Sequence, residues 1–148
     1  ELHYLLQSTK IKTIMCKQVV TTTLMTPVEE AALILSEGKI GCLPVMEGKE
    51  LAGIISDCDI FRALVDISGV RHGGHRITVV VKDEPGTIRE AADLVREAGF
   101  GLRSIMTSYE GVNRGKRYLM IRTQGEGNFA KLKNSLESAY KGVVIAKG

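Results

Sequence analysis

A glycine-rich break, Ser68-Gly-Val-Arg-His-Gly-Gly-His75, limits most what this chain can become. Three glycines in eight residues, with no apolar periodicity, read as a linker rather than the interior of a helix or strand. The charge changes sign at the same place. Up to residue 70, six Lys and Arg stand against nine Asp and Glu, a balance of −3. From residue 71 onward the count is fourteen against eight, a balance of +6. A length of 148 residues suits two small domains. The division expected is 1–70, a linker at 71–74, and 75–148.

Composition excludes several classes. With 44% hydrophobic and 25% charged residues, the chain is neither disordered nor fibrous. Its apolar runs, such as Ala31 to Leu35, are far too short for a membrane span. The opening Glu1-Leu-His-Tyr-Leu-Leu lacks the basic region and long apolar core of a signal peptide. It also lacks an initiator Met, so a processed chain or a fragment is expected. Cys16, Cys42 and Cys58 are odd in number and lack metal-ligand spacing, which points to reduced thiols in a cytoplasmic protein.

In the first half, Leu2, Leu5 and Leu6 share one helical face, and Ile11, Ile14 and Met15 suggest a further helical turn. Val19 to Thr23 is β-branched and reads as a strand. Thr26-Pro27-Val28-Glu29 has the spacing of a capping box with proline at the first helical position. Val28, Ala31, Ala32 and Leu35 stripe the helix, and Gly38 marks its end. Leu43 to Met46 and Leu51 to Ser56 are strands joined by a hairpin at Glu47-Gly48-Lys49. A helix from Asp57 follows, striped by Ile60, Leu64 and Ile67.

This pattern resembles one motif of the CBS family, regulatory modules named after cystathionine β-synthase. The matching residues run from Ile14-Met15 through Thr21, Thr26-Pro27, Glu30-Ala31 and Leu43-Pro44-Val45 to Leu51-Ala-Gly-Ile-Ile-Ser-Asp-Cys-Asp-Ile-Phe-Arg62. The resemblance covers about residues 12–67. It implies a β-α-β-β-α unit with an N-terminal helix, motifs working in pairs, and adenine nucleotides bound in the clefts between them. AMP, ATP or S-adenosylmethionine is the class of regulatory ligand implied. By the same resemblance the adenine would pack against Val20, Thr21, Ile40, Cys42 and Pro44, which could equally be plain core. Ser56 and Asp59 have two readings. They form a capping box by spacing, or Ser56 meets a phosphate at the helix N-terminus while Asp59 accepts from ribose hydroxyls. One motif of about sixty residues buries little surface. The opening helix therefore reads as the connector from a preceding motif, or two chains supply one motif each in a homodimer.

The second half begins with Ile77, Val79 and Val81 alternating against Arg76, Thr78, Val80 and Lys82, a strand. Asp83-Glu84-Pro85-Gly86 is a turn, and Thr87-x-x-Glu90 has capping-box spacing. Ile88, Ala91, Ala92, Val95 and Ala98 stripe a helix stopped by Gly99. Strands at Leu102–Tyr109 and Lys116–Arg122 flank a loop with Gly111, Asn113 and Gly115. A helix through Phe129, Leu132, Leu136 and Ala139 precedes a last strand at Val143–Ala146. The order βαββαβ is ferredoxin-like, so the whole chain is expected to be α/β (α+β). Val80-Val-Lys-Asp-Glu-Pro-Gly-Thr-Ile-Arg-Glu90 and Ala98-Gly-Phe-Gly-Leu-Arg-Ser-Ile105 resemble the ACT family, small regulatory domains that often bind amino acids beside this turn. The domain order is similar to that of bacterial acetoin-utilization CBS proteins. The resemblance implies an amino-acid site at Asp83, Glu84, Pro85, Gly86, Thr87 and Ile88, with Pro85-Gly86 as a mere tight turn the alternative. The chain departs from the family at Gly101, where Asn is common.

Other chemistry finds little support. His72-x-x-His75 lies in the linker without further ligands and is expected to be solvated. The cysteines have no histidine partner motif and are expected to be buried or spectator thiols. No paired carboxylate, Walker or Gly-x-Ser-x-Gly signature is present, so no catalytic residue is assigned and an enzyme is not expected. RNA binding by the basic ferredoxin-like half is the alternative function. Its third strand, Gly115 to Arg122, carries only Tyr118, and aromatics make up 5% of the chain with no Trp, which leaves few stacking platforms. The sequence thus describes an allosteric, cytoplasmic homodimer that responds to small-molecule effectors and acts on a regulated protein partner. Neither a membrane nor nucleic acid is expected among its partners.

Overall fold

Period-two apolar alternation pairs the chain into two sheets in the computed structural model, which describes residues 7–147. The helix expected at Leu2, Leu5 and Leu6 lies outside the described residues. The chain divides into two units, Glu1–Ile60 and Phe61–Gly148.

In the first unit, a single helical turn α1 (Ile11–Ile14) precedes strand β1 (Thr22–Thr23), helix α2 (Val28–Gly38), and strands β2 (Cys42–Glu47) and β3 (Glu50–Ser56). Helix α3 (Asp57–Ser68) starts here. The strand order is β1-β2-β3, with β1 parallel to β2 and β2 antiparallel to β3. Leu43 is fully buried against Ala31 and Leu35 of α2, with Ile34, Ile40, Ile55 and Ile60 around them.

Two local expectations are corrected. The strand expected over Val19 to Thr23 shrinks to Thr22 and Thr23, paired with Val45 and Met46. One position upstream the register reaches Pro44, which has no N–H to complete a ladder. The capping box expected at Thr26 does not form either. Pro27 is the N-cap, its carbonyl accepting from Ala31 N at 3.0 Å. The Thr26 hydroxyl instead accepts from Thr23 N at 3.2 Å. At the other end of α2, Lys39 takes the left-handed conformation (φ +50°) and its N–H meets the Leu35 and Ser36 carbonyls. Ile40 N also reaches Leu35 O. This is a Schellman closure with lysine where glycine is usual.

The second unit is βαββαβ: β4 (His75–Lys82), α4 (Thr87–Glu97), β5 (Gly101–Ser108), β6 (Lys116–Gln124), α5 (Phe129–Ala139) and β7 (Val144–Lys147). The antiparallel sheet runs β5-β6-β4-β7, the ferredoxin-like order. Ile77, Val79 and Val81 of β4 and Leu119 and Ile121 of β6 form one core with Ala91 and Val95 of α4 and Leu132 and Leu136 of α5. Asn128 caps α5 through its side chain, accepting from Lys131 N at 3.0 Å. The expected capping box at Thr87 is corrected. Gly86 is the N-cap, and the Thr87 hydroxyl donates to the Lys82 and Glu84 carbonyls at 3.0 Å, closing the preceding turn.

The glycine-rich segment contains a 3₁₀ turn, Val70–His72. Gly74 (φ +91°) approaches the next strand so closely that a Cβ there would stand 2.3 Å from the Thr123 carbonyl oxygen. Two substitutions at positive φ should therefore move stability in opposite directions in thermal or urea melts. Lys39→Gly removes left-handed strain and should stabilise the protein by about 1 kcal/mol. Gly74→Ala adds both strain and a backbone clash and should cost about 2–5 kcal/mol.

Candidate functional site

The residues singled out in the first half gather at one end of the β2–β3 hairpin. Cys42, the first residue of β2, is opposite Ser56, the last of β3, and Pro44 is opposite Ile54. Gly41, between Ile40 and Cys42, accepts from Asp57 N at 3.1 Å, which ties the α3 N-terminus to this end. Thr21 directly precedes Thr22, itself opposite Val45, so Val20 and Thr21 reach the same level as Pro44.

Ser56 and Asp59 form a reciprocal capping box. The Asp59 Oδ2 accepts from Ser56 N at 2.9 Å and from Ser56 Oγ at 2.6 Å. In return Asp59 N donates to Ser56 Oγ at 3.3 Å. Cys58 N donates to the Asp57 carboxylate at 2.7 Å. All three leading amides of α3 thus have acceptors, and a phosphate at this end would compete with Ser56 Oγ and the Asp57 carboxylate. A ribose hydroxyl, by contrast, would approach Asp59 as Ser56 already does, as an O–H donor to a carboxylate. The capping reading of this pair is therefore realised.

The core alternative fails for part of the adenine-facing set. Val20 is 51% exposed, Thr21 and Cys42 are exposed, and Pro44 is half-buried. Only Ile40 packs against the small core. Three apolar or weakly polar side chains therefore stand at the surface beside the capping box. Sequence reasoning did not single out Thr22 beneath them: it is buried, and its hydroxyl has no hydrogen-bond partner. Only the Thr21-Thr22-Thr23 run could have drawn attention to it. The cysteines are corrected in one respect, since all three are free and exposed rather than buried.

In the second unit, the Asp83–Gly86 turn borders a pocket of about 620 Å³. Of the six expected residues, Glu84, Pro85 and Thr87 line it. Ile88 packs against the core instead. Asp83 turns to Arg117, with Nη1 to Oδ1 at 3.4 Å, and accepts from Tyr109 at 3.4 Å. Gly86 (φ +96°) supplies the left-handed turn, and a Cβ there would meet open space. The pocket is also lined by Lys82, Lys116, Lys141 and Glu90, with Lys82 Nζ 4.0 Å from the Glu84 carboxylate, a set of both signs that neither local spacing nor the turn motif reveals. Tyr140 lines it too, its phenol held above the ordinary value of 10.0 first by burial and then by the Glu90 carboxylate.

His75 is also corrected. It is not a solvated linker residue but the first residue of β4, its ring 4.6 Å from Phe129 and 5.6 Å from Phe100. Its Nδ1 is buried without a partner. Among the described residues, no group of three or more His, Cys, Asp or Glu could hold a metal. No helix there is long and apolar enough to cross a membrane.

A family model supports a regulatory, ligand-sensing role for this part of the chain: residues 11–66 match the CBS domain.

Proposed function

We propose that the chain is a non-catalytic, ligand-sensing regulator that binds an adenine-containing nucleotide (AMP, ATP or S-adenosylmethionine) at the hairpin end of its CBS domain. The observation that carries this reading is the Ser56–Asp59 box beside exposed Val20, Thr21 and Cys42. The carboxylate is fixed by its own helix and oriented for hydroxyl donors. The neighbouring surface is apolar enough to take a flat base and is not consumed by core packing. Binding would bias an assembly state or a partner through a difference in affinity between two states.

A nucleotide titration followed by calorimetry tests this. Asp59→Ala should weaken binding more than tenfold while costing about 1 kcal/mol of stability through the lost cap. Equal affinity in both proteins would leave the capping box as the whole role of Asp59.

An amino acid in the second unit is a separate part of the proposal. Its support is a pocket lined by charges of both signs, which suits a zwitterion: Lys116 or Lys141 for the carboxylate and Glu90 for the ammonium, with Lys82 and Glu84 already 4.0 Å from each other. The Asp-x-Pro-Gly turn and the βαββαβ order are the features shared with ACT domains. Glu90→Gln should weaken amino-acid binding at least fivefold, the loss of a charged hydrogen bond of about 1 kcal/mol or more, and leave nucleotide binding unchanged. A calorimetric screen of the common amino acids that shows no binding would reassign this domain to assembly.

Self-association completes the proposal. In the first unit Val19, Leu24, Met25, Leu33, Leu51 and Ile54 are each more than half exposed, while the fully buried set among the described residues is Ala31, Leu35 and Leu43. So large an apolar exposure beside so small a core suits a second copy, and a closed two-fold dimer would bury it. Light scattering at micromolar concentration should give about twice the 16.1 kDa chain mass. A monomeric mass would remove both the dimer and a nucleotide cleft shared by two motifs.

A further inference from the structure

Three arginines of the second unit converge on the sheet face opposite its core. Arg76 of β4 and Arg122 of β6 are direct cross-strand partners. Like charges so placed repel, and sheets usually avoid them. Arg122 is only 7% exposed. Its Nε donates to the Ser68 carbonyl at 3.1 Å and its Nη1 to the Gly73 carbonyl at 3.5 Å. Arg103 of β5 lies beside it: a Cβ on Gly69 would stand 2.6 Å from the Arg103 Cδ and 3.6 Å from the Arg122 Cδ. The Arg103 Nε is buried and has no partner.

Among the described residues, no carboxylate forms an ion pair with this group. The ion pairs among the described residues join Lys82, Arg89, Arg96, Arg117 and Lys133 to acids, and none involves Arg76, Arg103 or Arg122. The carbonyl end of α3 at Ser68 offsets some of the charge, but a helix C-terminus is equivalent to only about half an elementary charge. Arg76 is exposed to water, so the charge that is poorly compensated is that of Arg122 and Arg103, which sit next to apolar surface where an unpaired charge is costly.

Beside these arginines is a pocket of about 320 Å³. Its apolar wall comes from Leu64, Val65 and Val70 on one side and from Met106 and Met120 on the sheet. Arg76 and Arg122 supply its charge, and Ser68 and Ser104 its remaining polar groups. That volume is at the lower end of small-molecule pockets, which run from roughly 300 to 1,000 Å³. Methionines let such a wall adapt to branched or flat shapes. An ammonium group would face the Arg76 and Arg122 guanidiniums here, with no acid among the lining residues to receive it.

We propose that this pocket binds a small organic carboxylate with an aliphatic or aromatic body and no amino group, of the 2-oxo acid type. The carboxylate pairs with Arg76 and Arg122, for which the planar guanidinium is suited, and the body lies against Met106, Met120 and Leu64. The site is distinct from the zwitterion pocket at the Asp83–Gly86 turn, since the two share no lining residue.

The test is calorimetric titration of the full chain with 4-methyl-2-oxopentanoate as probe. Saturable binding is expected in the unaltered protein. It should fall at least tenfold in Arg76→Gln, which changes an exposed side chain, and in Met106→Trp, which fills the apolar wall. Any binding of leucine, the same skeleton with an ammonium group, should be insensitive to Arg76→Gln. The proposal is overturned if the oxo acid does not bind at millimolar concentration, or if its affinity is unchanged in either variant. Inorganic phosphate binding as tightly as the oxo acid would also overturn it, because the apolar wall would then contribute nothing.

Discussion

The central ladder between β4 and β6 decides which residues can meet in the second unit. Ile77, Val79 and Val81 pair with Ile121, Leu119 and Arg117, and Arg76, Thr78 and Val80 pair with Arg122, Met120 and Tyr118. Because side chains alternate across a strand, this register commits Ile77, Val79, Leu119 and Ile121 to the helices. It commits Arg76, Met120 and Arg122 to the opposite face. A slip of one residue would bury the arginines in the core and expose the isoleucines, at a cost no local interaction could offset. The arginine face is thus a consequence of the same alternation that builds the core. The covered side is tied down separately, since His75 N donates to the Thr123 hydroxyl at 2.8 Å and Gly74 approaches the Thr123 backbone.

The first unit works under the opposite constraint. Among its described residues, the buried apolar set, Ala31, Leu35 and Leu43, amounts to one turn of helix resting on one strand residue. Burying three such side chains contributes only a few kcal/mol, little against the entropy of ordering the residues around them. Hydrogen bonds that need no large core therefore matter more here: the Schellman closure at Lys39, the Thr23–Thr26 pair, the Gly41–Asp57 bond and the Ser56–Asp59 box. Each closes an element end. The last of them also fixes the part-buried Asp59 carboxylate at the end of the hairpin, so helix stability and the geometry of this end depend on one side chain.

Much of the fold was legible in the sequence because it rests on periodicity. The helices α2, α3, α4 and α5, both hairpins and the βαββαβ order follow from apolar spacing and glycine positions, and the structure has each of them, although the α3 stripe is left open, with Leu64 and Ile67 exposed. Capping was less legible. Three segments have the spacing of a capping box, and only Ser56-x-x-Asp59 forms one. At the other two, Pro27 and Gly86 take the N-cap position, and the threonine hydroxyl turns back to the preceding loop. Spacing identifies the residues that could cap but does not say where the helix begins, and a shift of one residue is enough to change the partner. The long-range charge groups were not legible at all. Arg76, Arg103 and Arg122 are separated by 27 and 19 residues in the chain, and only the sheet register and the bulge between Leu102 and Ser104 bring them together. The same holds for Arg117, whose contact with Asp83 spans two strands.

Charge then separates the two pockets of the second unit more sharply than shape does. Lys82, Lys116 and Lys141 share their pocket with Glu84 and Glu90. A zwitterion there can satisfy both signs, and a simple anion would still face two carboxylates. The arginine face offers one sign only. An anion relieves the repulsion between Arg76 and Arg122, and a zwitterion would bring a third like charge beside them. An amino acid and its deaminated 2-oxo acid differ by that one group while sharing a skeleton. The two pockets of one small domain thus have the electrostatic means to tell them apart, without any difference in how their apolar walls receive the side chain.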